Sequence, residues 1–501
     1  MSEKENPSLR MQAVHGVKWT GISTVITTTL LYGRLAILAH ILSPKDFGLM
    51  GMVIVIIGLG QAFADMGLSQ SVIWKQDATR EQLSTLYWLN IMAGVAVFCI
   101  AIAISPLVAA FFRQPRLIGL IFWAAFIFPI SAIGSQFQTL LQKNLRFDRL
   151  AMVEIASAAL GATVAVTTAL MGQGVLALIW GQLAICTSAS LLYCYIGLRK
   201  WRPRLVFKPR NLHGFISFGL YQMGQQAVNA FAVNVDYIMV GRFLGPRLLG
   251  AYMLAWQIMV APMTKMNPVL TRVAFPVFAR RQTDDDSLRG GYVELSKMVA
   301  LLTLPIMVLV AATAPVLVPV IFGPQWSAAI PVIQIFALLG LFRSLTNPVW
   351  SMLFAKGRAD IGFKLTVAVA AVSTLAFWFA AQQGLYVMAW TEVAVDGLFF
   401  FVVLEILRKL IGLKYSGYFK DVGIPTVLAF AAGAATYGCY FLFRELIDSN
   451  LWLLISLLAI GLLLYVGLVA IFERQYFIEY FWLLFGRGER DAKQLPNSNE
   501  S

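Results

Sequence analysis

A succession of long apolar stretches, broken only by short charged or Gly/Pro-bearing connections, constrains this chain more than any other feature. A membrane-crossing helix needs about 20 mainly apolar residues. Fourteen such windows can be drawn, at about 14–41, 47–74, 83–112, 117–141, 151–171, 174–197, 212–242, 247–278, 293–322, 327–355, 362–382, 385–407, 421–443 and 451–472. Composition agrees: 59% of the 501 residues are hydrophobic and 13% charged, against roughly 45–50% and 25% in soluble domains. β-Barrel strands are excluded, because they read as about 10-residue alternating segments. The expected fold class is therefore an all-α polytopic membrane protein of about 14 transmembrane helices.

The formal net charge of +14 would point to nucleic acid in a soluble protein. In a membrane protein, Lys and Arg instead collect on cytoplasmic loops. With the N-terminus inside, the inside loops take Lys143, Arg146 and Arg149, then the run Arg199, Lys200, Arg202, Arg204, Lys208 and Arg210. Later come Arg408, Lys409, Lys414 and Lys420, whereas the outside connections hold only Lys45, Arg113, Arg116, Arg242, Arg247 and Arg444. Both termini are thus expected in the cytoplasm, with no nucleic-acid partner. The first apolar segment is long, polar-flecked and without a small-residue cleavage site, so it reads as a span rather than a cleavable signal. Cys99, Cys186, Cys194 and Cys439 all fall inside spans without metal or redox spacing and read as packing.

The chain also resembles itself. Arg34-Leu-Ala-Ile-Leu-Ala-His-Ile-Leu-Ser-Pro44-Lys-Asp-Phe-Gly48 aligns with Asp236-Tyr-Ile-Met-Val-Gly-Arg-Phe-Leu-Gly-Pro246-Arg-Leu-Leu-Gly250, 202 positions later. Leu141–Asp148 aligns with Leu353–Asp360 at 212, and Gln173-Gly174 with Trp180 aligns with Gln383-Gly384 and Trp390 at 210. Three ordered matches at nearly constant offset predict two six-helix repeats. Their boundaries are an N-terminal lobe at 1–205, a C-terminal lobe at 206–411, an appended helix pair at 412–472 and a cytoplasmic tail at 473–501. Six is even, so both copies enter the membrane the same way and should be related by an axis along its normal. Repeats of this kind commonly enclose a central transport site.

Polar and ionisable residues inside a membrane are costly and usually mark a cavity or a pair. Thr20, Thr24, Thr27 and Arg34 share one stripe of the first span, and Gln222, Gln226, Asn229 and Asp236 share the equivalent stripe of the seventh. Further charges are Asp65, Lys265, Arg272, Arg343, Glu392 and Asp396. Arg34 and Asp236 are candidates for an internal ion pair and equally for opposite walls of a ligand site. Lys265 and Arg272, two turns apart, and Arg343 point to an anionic substrate, since cations at mid-membrane need acids or anions and the forked guanidinium suits phosphate. Glu392 and Asp396 lie on one face, as a proton or Na⁺ coupling site or as counter-charges. Prolines 262, 268, 276, 305, 315 and 319 predict kinks in the eighth and ninth spans. His15, His40 and His213 lie near membrane borders and read as interfacial packing. No Gly-rich loop with Lys-Ser/Thr is present, so neither ATP hydrolysis nor any cofactor or metal is expected.

The Ile41-Leu-Ser-Pro44-x-x-x-Gly48 turn, Ala64-Asp65-Met-Gly-Leu-Ser-Gln70 and Leu140-Leu-Gln-Lys-Asn-Leu-Arg-Phe147, set in two six-span lobes plus a pair, resemble the polysaccharide flippases. These belong to the multidrug/oligosaccharidyl-lipid/polysaccharide exporter superfamily, and the chain is most similar to its lipopolysaccharide and colanic-acid exporter-like branch. The resemblance covers roughly residues 10–480. It implies a bacterial inner-membrane protein, not an enzyme. Such a protein moves an undecaprenyl-diphosphate-linked oligosaccharide to the periplasmic face by alternating access, for exopolysaccharide, O-antigen or capsule assembly. It also implies a cationic cavity for the diphosphate, for which Arg34, Lys265, Arg272 and Arg343 are the candidates here. Asp65, Gln222, Gln226, Asn229, Asp236, Glu392 and Asp396 are the polar or ion-coupling candidates. Membrane lipids, a coupling H⁺ or Na⁺, and a polysaccharide polymerase with its co-polymerase are the other implied partners. A drug/cation antiporter of the same superfamily is the main alternative. A membrane polysaccharide polymerase or ligase is a weaker one, because its catalytic external loop has no counterpart in the short outside connections.

Overall fold

The structure is a computed structural model that describes residues 7–67, 69, 71–72, 79–199, 201–208, 215–260, 263 and 284–474. Its helices are α1 (Pro7–Ile41), α2 (Pro44–Asp65), α3 (Arg80–Phe112), α4 (Leu117–Lys143), α5 (Phe147–Leu170), α6 (Leu176–Leu198) and α7 (Phe215–Met259). They continue with α8 (Asp285–Ile321), α9 (Ala329–Ala355), α10 (Asp360–Ala381), α11 (Leu385–Ile411), α12 (Tyr415–Phe443) and α13 (Asn450–Phe472). Among the described residues, twelve helices are long and apolar enough to cross a membrane, matching the expected first to sixth and ninth to fourteenth spans. The expected seventh and eighth fall on α7, which breaks at Gly245, and on residues beyond it outside the described set. Leu107 and Leu463 are 72% and 71% exposed. Apolar side chains so bare belong against lipid, not water. This is a polytopic membrane protein.

Local chemistry explains the motifs. In the Ser43-Pro44-Lys-Asp46 turn, Pro44 occupies the first helical position of α2, where its missing N–H costs nothing. The Asp46 amide donates to Ser43 Oγ at 3.3 Å, and the Ser43 amide donates to Asp46 Oδ2 at 3.0 Å. That is a capping box. Thr79 and Gln82 build another at the start of α3. In the Leu140–Phe147 motif, Arg146 forks onto Asp148, Nε to Oδ1 at 3.0 Å and Nη2 to Oδ2 at 2.9 Å. The same motif seats the Phe147 ring against Gly16 of α1. Arg146 and Asp148 thus form an ion pair within this loop. The basic linker runs beside α3: Trp88 Nε1 donates to the Arg204 carbonyl at 2.9 Å, and Lys208 lies 2.9 Å from Glu81.

Positions paired by the sequence alignment share unusual backbone. Leu145 and Gly357, 212 apart, have φ of 54° and 67°; Gly174 and Gly384, 210 apart, have 58° and 127°. The two Pro-x-x-x-Gly turns also touch each other. A Cβ on Gly48 would lie 1.7 Å from the Pro246 carbonyl oxygen, and one on Gly250 would lie 1.8 Å from that of Pro44.

The chain divides into two compact units: residues 1–258, 321–332 and 359–395, and residues 259–320, 333–358 and 396–501. In the first, α5 packs on α6 through small residues. A Cβ on Gly161 would lie 2.8 Å from the Gly181 carbonyl, and Gly181 faces Ala165. Without a hydrophobic driving force between helices in lipid, such close backbone approach supplies the packing energy. The same unit buries Trp326 completely. Its indole Nε1 and the Gln325 amide both donate to the Ala39 carbonyl, at 2.9 and 2.7 Å, satisfying a carbonyl at the C-terminal end of α1 that the helix leaves without a partner.

In the second unit, Gly433 of α12 and Gly461 of α13 receive Val308 and Leu309 of α8, and Tyr465 donates to the Leu301 carbonyl at 2.8 Å. Lys297 meets Glu473 at 2.9 Å with both side chains 7% exposed. Removing one partner strands a buried charge. Lys297→Met or Glu473→Gln alone is expected to cost about 3–5 kcal/mol, while Lys297→Met with Glu473→Leu recovers most of it. Thermal melting of the purified variants checks this; a double variant as unstable as the singles contradicts it.

Candidate functional site

The threonines of α1 turn out to serve their own helix. Thr20, Thr24 and Thr27 donate to the carbonyls of Gly16, Thr20 and Ser23 at 2.9, 2.8 and 2.7 Å. Ser23 reaches further, donating to Glu154 of α5 at 2.7 Å. Arg34, the last member of the stripe, behaves differently. It is half-buried and makes no ion pair or side-chain hydrogen bond among the described residues. Of the two readings open for Arg34 and Asp236, the direct ion pair is not formed. Asp236 is buried and accepts the Tyr237 amide at 2.8 Å.

Arg34 opens into a cavity of about 260 Å³ within the first unit. Leu31, Leu35, Phe47 and Ile57 give it apolar walls, and Gln61, Gln182 and Gln257 give it amides. Among the described residues, Arg34 is the only charged one in that lining. A lone cation at membrane depth costs about 3 kcal/mol or more, so this pocket is electrostatically incomplete without an anion.

A second cavity of about 420 Å³ adjoins it, with Gly58 and Gln61 lining both. Asp65 of α2 and Gln226 and Asn229 of α7 border this second space. Three of the polar candidates from two distant stretches of sequence thus meet in one place. Asp65 accepts from Ser69 Oγ at 2.5 Å. Gln222 instead sits beside the turn after α2, where a Cβ on Gly67 would lie 2.7 Å from its own Cβ.

The other charges separate. Arg343 Nε donates to Asp396 Oδ2 at 2.6 Å, so these two neutralise each other. Glu392 is buried and accepts from the Tyr252 hydroxyl. Glu392 and Asp396, one turn apart on α11, therefore face different partners rather than forming one acidic site. Lys265 and Arg272, with Pro262, Pro268 and Pro276, lie outside the described residues. Sequence reasoning missed Gln61, Asn90, Ser131, Ser135, Gln182 and Gln257, which line the two cavities. Their only signal is a polar residue inside an apolar span, and it does not say which way the side chain faces.

Comparison with known proteins places these features. The family described as "Polysaccharide biosynthesis protein" matches residues 37–331. The chain is 35% identical to the teichuronic acid biosynthesis protein TuaB of Bacillus subtilis, over 86% of this chain and 90% of that protein. It is 31% identical to the lipopolysaccharide biosynthesis protein WzxC of Escherichia coli, over 86% and 88%. Among solved structures, the fold is similar to that of the lipid II flippase MurJ in an inward closed conformation, with TM-score 0.73 and 12% identity over 92% of this chain and 99% of that one. It also resembles an inward-facing multidrug transporter of the MATE family, with TM-score 0.56 and 14% identity over 77% and 98%. This chain belongs to the polysaccharide biosynthesis protein family.

Proposed function

We propose that the chain carries a polyprenyl-diphosphate-linked oligosaccharide from the cytoplasmic to the periplasmic face of a bacterial inner membrane, by alternating access, with Arg34 receiving the diphosphate. The observation that carries this reading is the uncompensated guanidinium of Arg34 in an apolar-walled pocket. A diphosphate would neutralise it through paired N–H···O contacts, while the lipid tail stays in the bilayer. A drug cation would meet the opposite field there. Lys265 and Arg272 are retained as further diphosphate contacts. Arg343 is assigned a structural role instead, because Asp396 already occupies it. Coupling to H⁺ or Na⁺ falls to Glu392, the buried carboxyl held by Tyr252. Asp236 and Gln222 remain polar lining, both termini face the cytoplasm, and a polymerase with its co-polymerase acts on the delivered lipid.

The two repeat lobes with their appended helix pair form the framework for this movement; the matched left-handed positions and the Gly48–Pro246 and Gly250–Pro44 contacts support the repeat. The test is reconstitution in proteoliposomes containing undecaprenyl-diphosphate-linked saccharide labelled in the sugar. Label on the inner leaflet is expected to become accessible to an impermeant outer reagent only when the protein is present. Equal accessibility in empty liposomes, or none with the protein, refutes the reading.

A further inference from the structure

The larger cavity has a composition unlike that of its neighbour. Every described side chain lining it is either very small or polar. Gly58, Ala62, Ala64, Ala132 and Ala230 form its apolar part, with no aromatic ring, no long aliphatic chain and no Lys or Arg among the described lining residues. Four helices converge their polar groups on it: Gln61 and Asp65 from α2, Asn90 from α3, Ser131 and Ser135 from α4, and Gln226 and Asn229 from α7. On one side these groups are pre-set. The Asn90 amide donates to Ser135 Oγ at 2.5 Å and to the Ala132 carbonyl at 3.3 Å. On the other side Gln61, Gln226 and Asn229 make no side-chain hydrogen bonds among the described residues, leaving amide donors and acceptors for a ligand.

Amides offer both a donor and an acceptor from one planar group, the pattern that reads neighbouring hydroxyls. The volume, about 420 Å³, lies within the roughly 300–1,000 Å³ of small-ligand sites. The only formal charge is the carboxylate of Asp65, which has no cation beside it among the lining residues. Such a lining accepts hydroxyl-rich neutral groups and repels a second carboxylate. Gly58 and Gln61 line both this space and the Arg34 pocket.

We infer that this amide-lined cavity is a saccharide subsite that holds the sugar next to the diphosphate and selects a neutral sugar over a uronate. The inference rests on the Arg34 diphosphate assignment and adds to it a separate recognition element, with Gln61 bridging the two. Arg34 would hold every lipid diphosphate alike. Gln226, Asn229 and Asn90 would distinguish what it carries.

The experiment measures binding to the purified full chain in lipid nanodiscs. The probes are undecaprenyl diphosphate, its glucose, galactose and N-acetylglucosamine conjugates, and its glucuronate conjugate. At least one neutral conjugate is expected to bind about tenfold more tightly than the bare diphosphate, the gain of two or so neutral hydrogen bonds. The glucuronate conjugate is expected to gain nothing. Gln226→Ala with Asn229→Ala removes the tenfold gain and leaves bare diphosphate binding unchanged. Both positions are solvent-accessible, so this pair keeps the test valid where buried Asn90→Ala impairs folding. Asp65→Asn is expected to admit the glucuronate conjugate. Neutral conjugates no tighter than the bare lipid, glucuronate tighter than all, or variants that weaken every probe equally would each overturn the subsite. No binding of the bare diphosphate to the unaltered protein refutes the Arg34 assignment instead, and the subsite with it.

Discussion

Arg34→Ala is expected to abolish polymer export while the protein inserts and accumulates normally. The side chain touches no acid and no hydrogen-bond acceptor among the described residues, so the folded state loses little when it goes. What disappears is the proposed anion site. Hydrogen bonds to a charged group contribute about 1.5–3 kcal/mol, and about 3 kcal/mol is roughly a 100-fold loss of affinity for undecaprenyl diphosphate. Arg34→Lys keeps the charge without the fork and should retain part of both binding and export. The measurements are complementation of a flippase-deficient strain, with surface polymer quantified, and titration of the purified variant. Normal export by Arg34→Ala would show that no diphosphate is held there. Arg343→Ala offers the contrast. It strands Asp396, with the two side chains 33% and 20% exposed, and lowers thermal stability. That defect should be eased by Asp396→Asn, which distinguishes a structural charge from a substrate-facing one.

The second large effect is at the paired turns. Gly48→Ala places a methyl 1.7 Å from the Pro246 carbonyl oxygen, and Gly250→Ala places one 1.8 Å from the Pro44 carbonyl oxygen. A backbone atom cannot swing aside as a side chain does. Overpacking commonly costs about 1–3 kcal/mol, and each substitution should reach the top of that range by forcing the two turns apart. Gly21→Ala is the control, since nothing lies within 4 Å of the added carbon and alanine favours a helix by about 1 kcal/mol. Melting temperatures of the three purified variants decide the matter. Gly48→Ala melting with Gly21→Ala would mean the turns are not in contact.

Much of this architecture was legible before any coordinates. Apolar runs long enough to span a bilayer announce helices directly, because in lipid the backbone must satisfy itself within each segment. The Ser43-Pro44-x-Asp46 and Thr79-x-x-Gln82 starts are equally local, each being a cap written in four residues. Periodicity also put Gln226 and Asn229 on one face of α7, and they do share a cavity with Asp65. The stripe on α1 was only partly informative. A threonine in a helix can always bond its own preceding turn, as Thr20, Thr24 and Thr27 do, and its presence does not imply a cavity.

The sequence by itself determined the membrane class, the apolar spans, the capped turns and the inventory of charges that those spans must accommodate. These follow from neighbours along the chain and from the cost of polar groups in hydrocarbon. Only the tertiary structure decided what each charge does. Arg34 and Arg343 are the same residue in similar apolar helices, yet one faces an empty-handed pocket and the other holds Asp396. Gln61 and Asn90 gain meaning only where α2, α3, α4 and α7 converge. The reason is physical: a charge or amide is defined by what lies within hydrogen-bond reach, and here those partners come from residues far away in the chain.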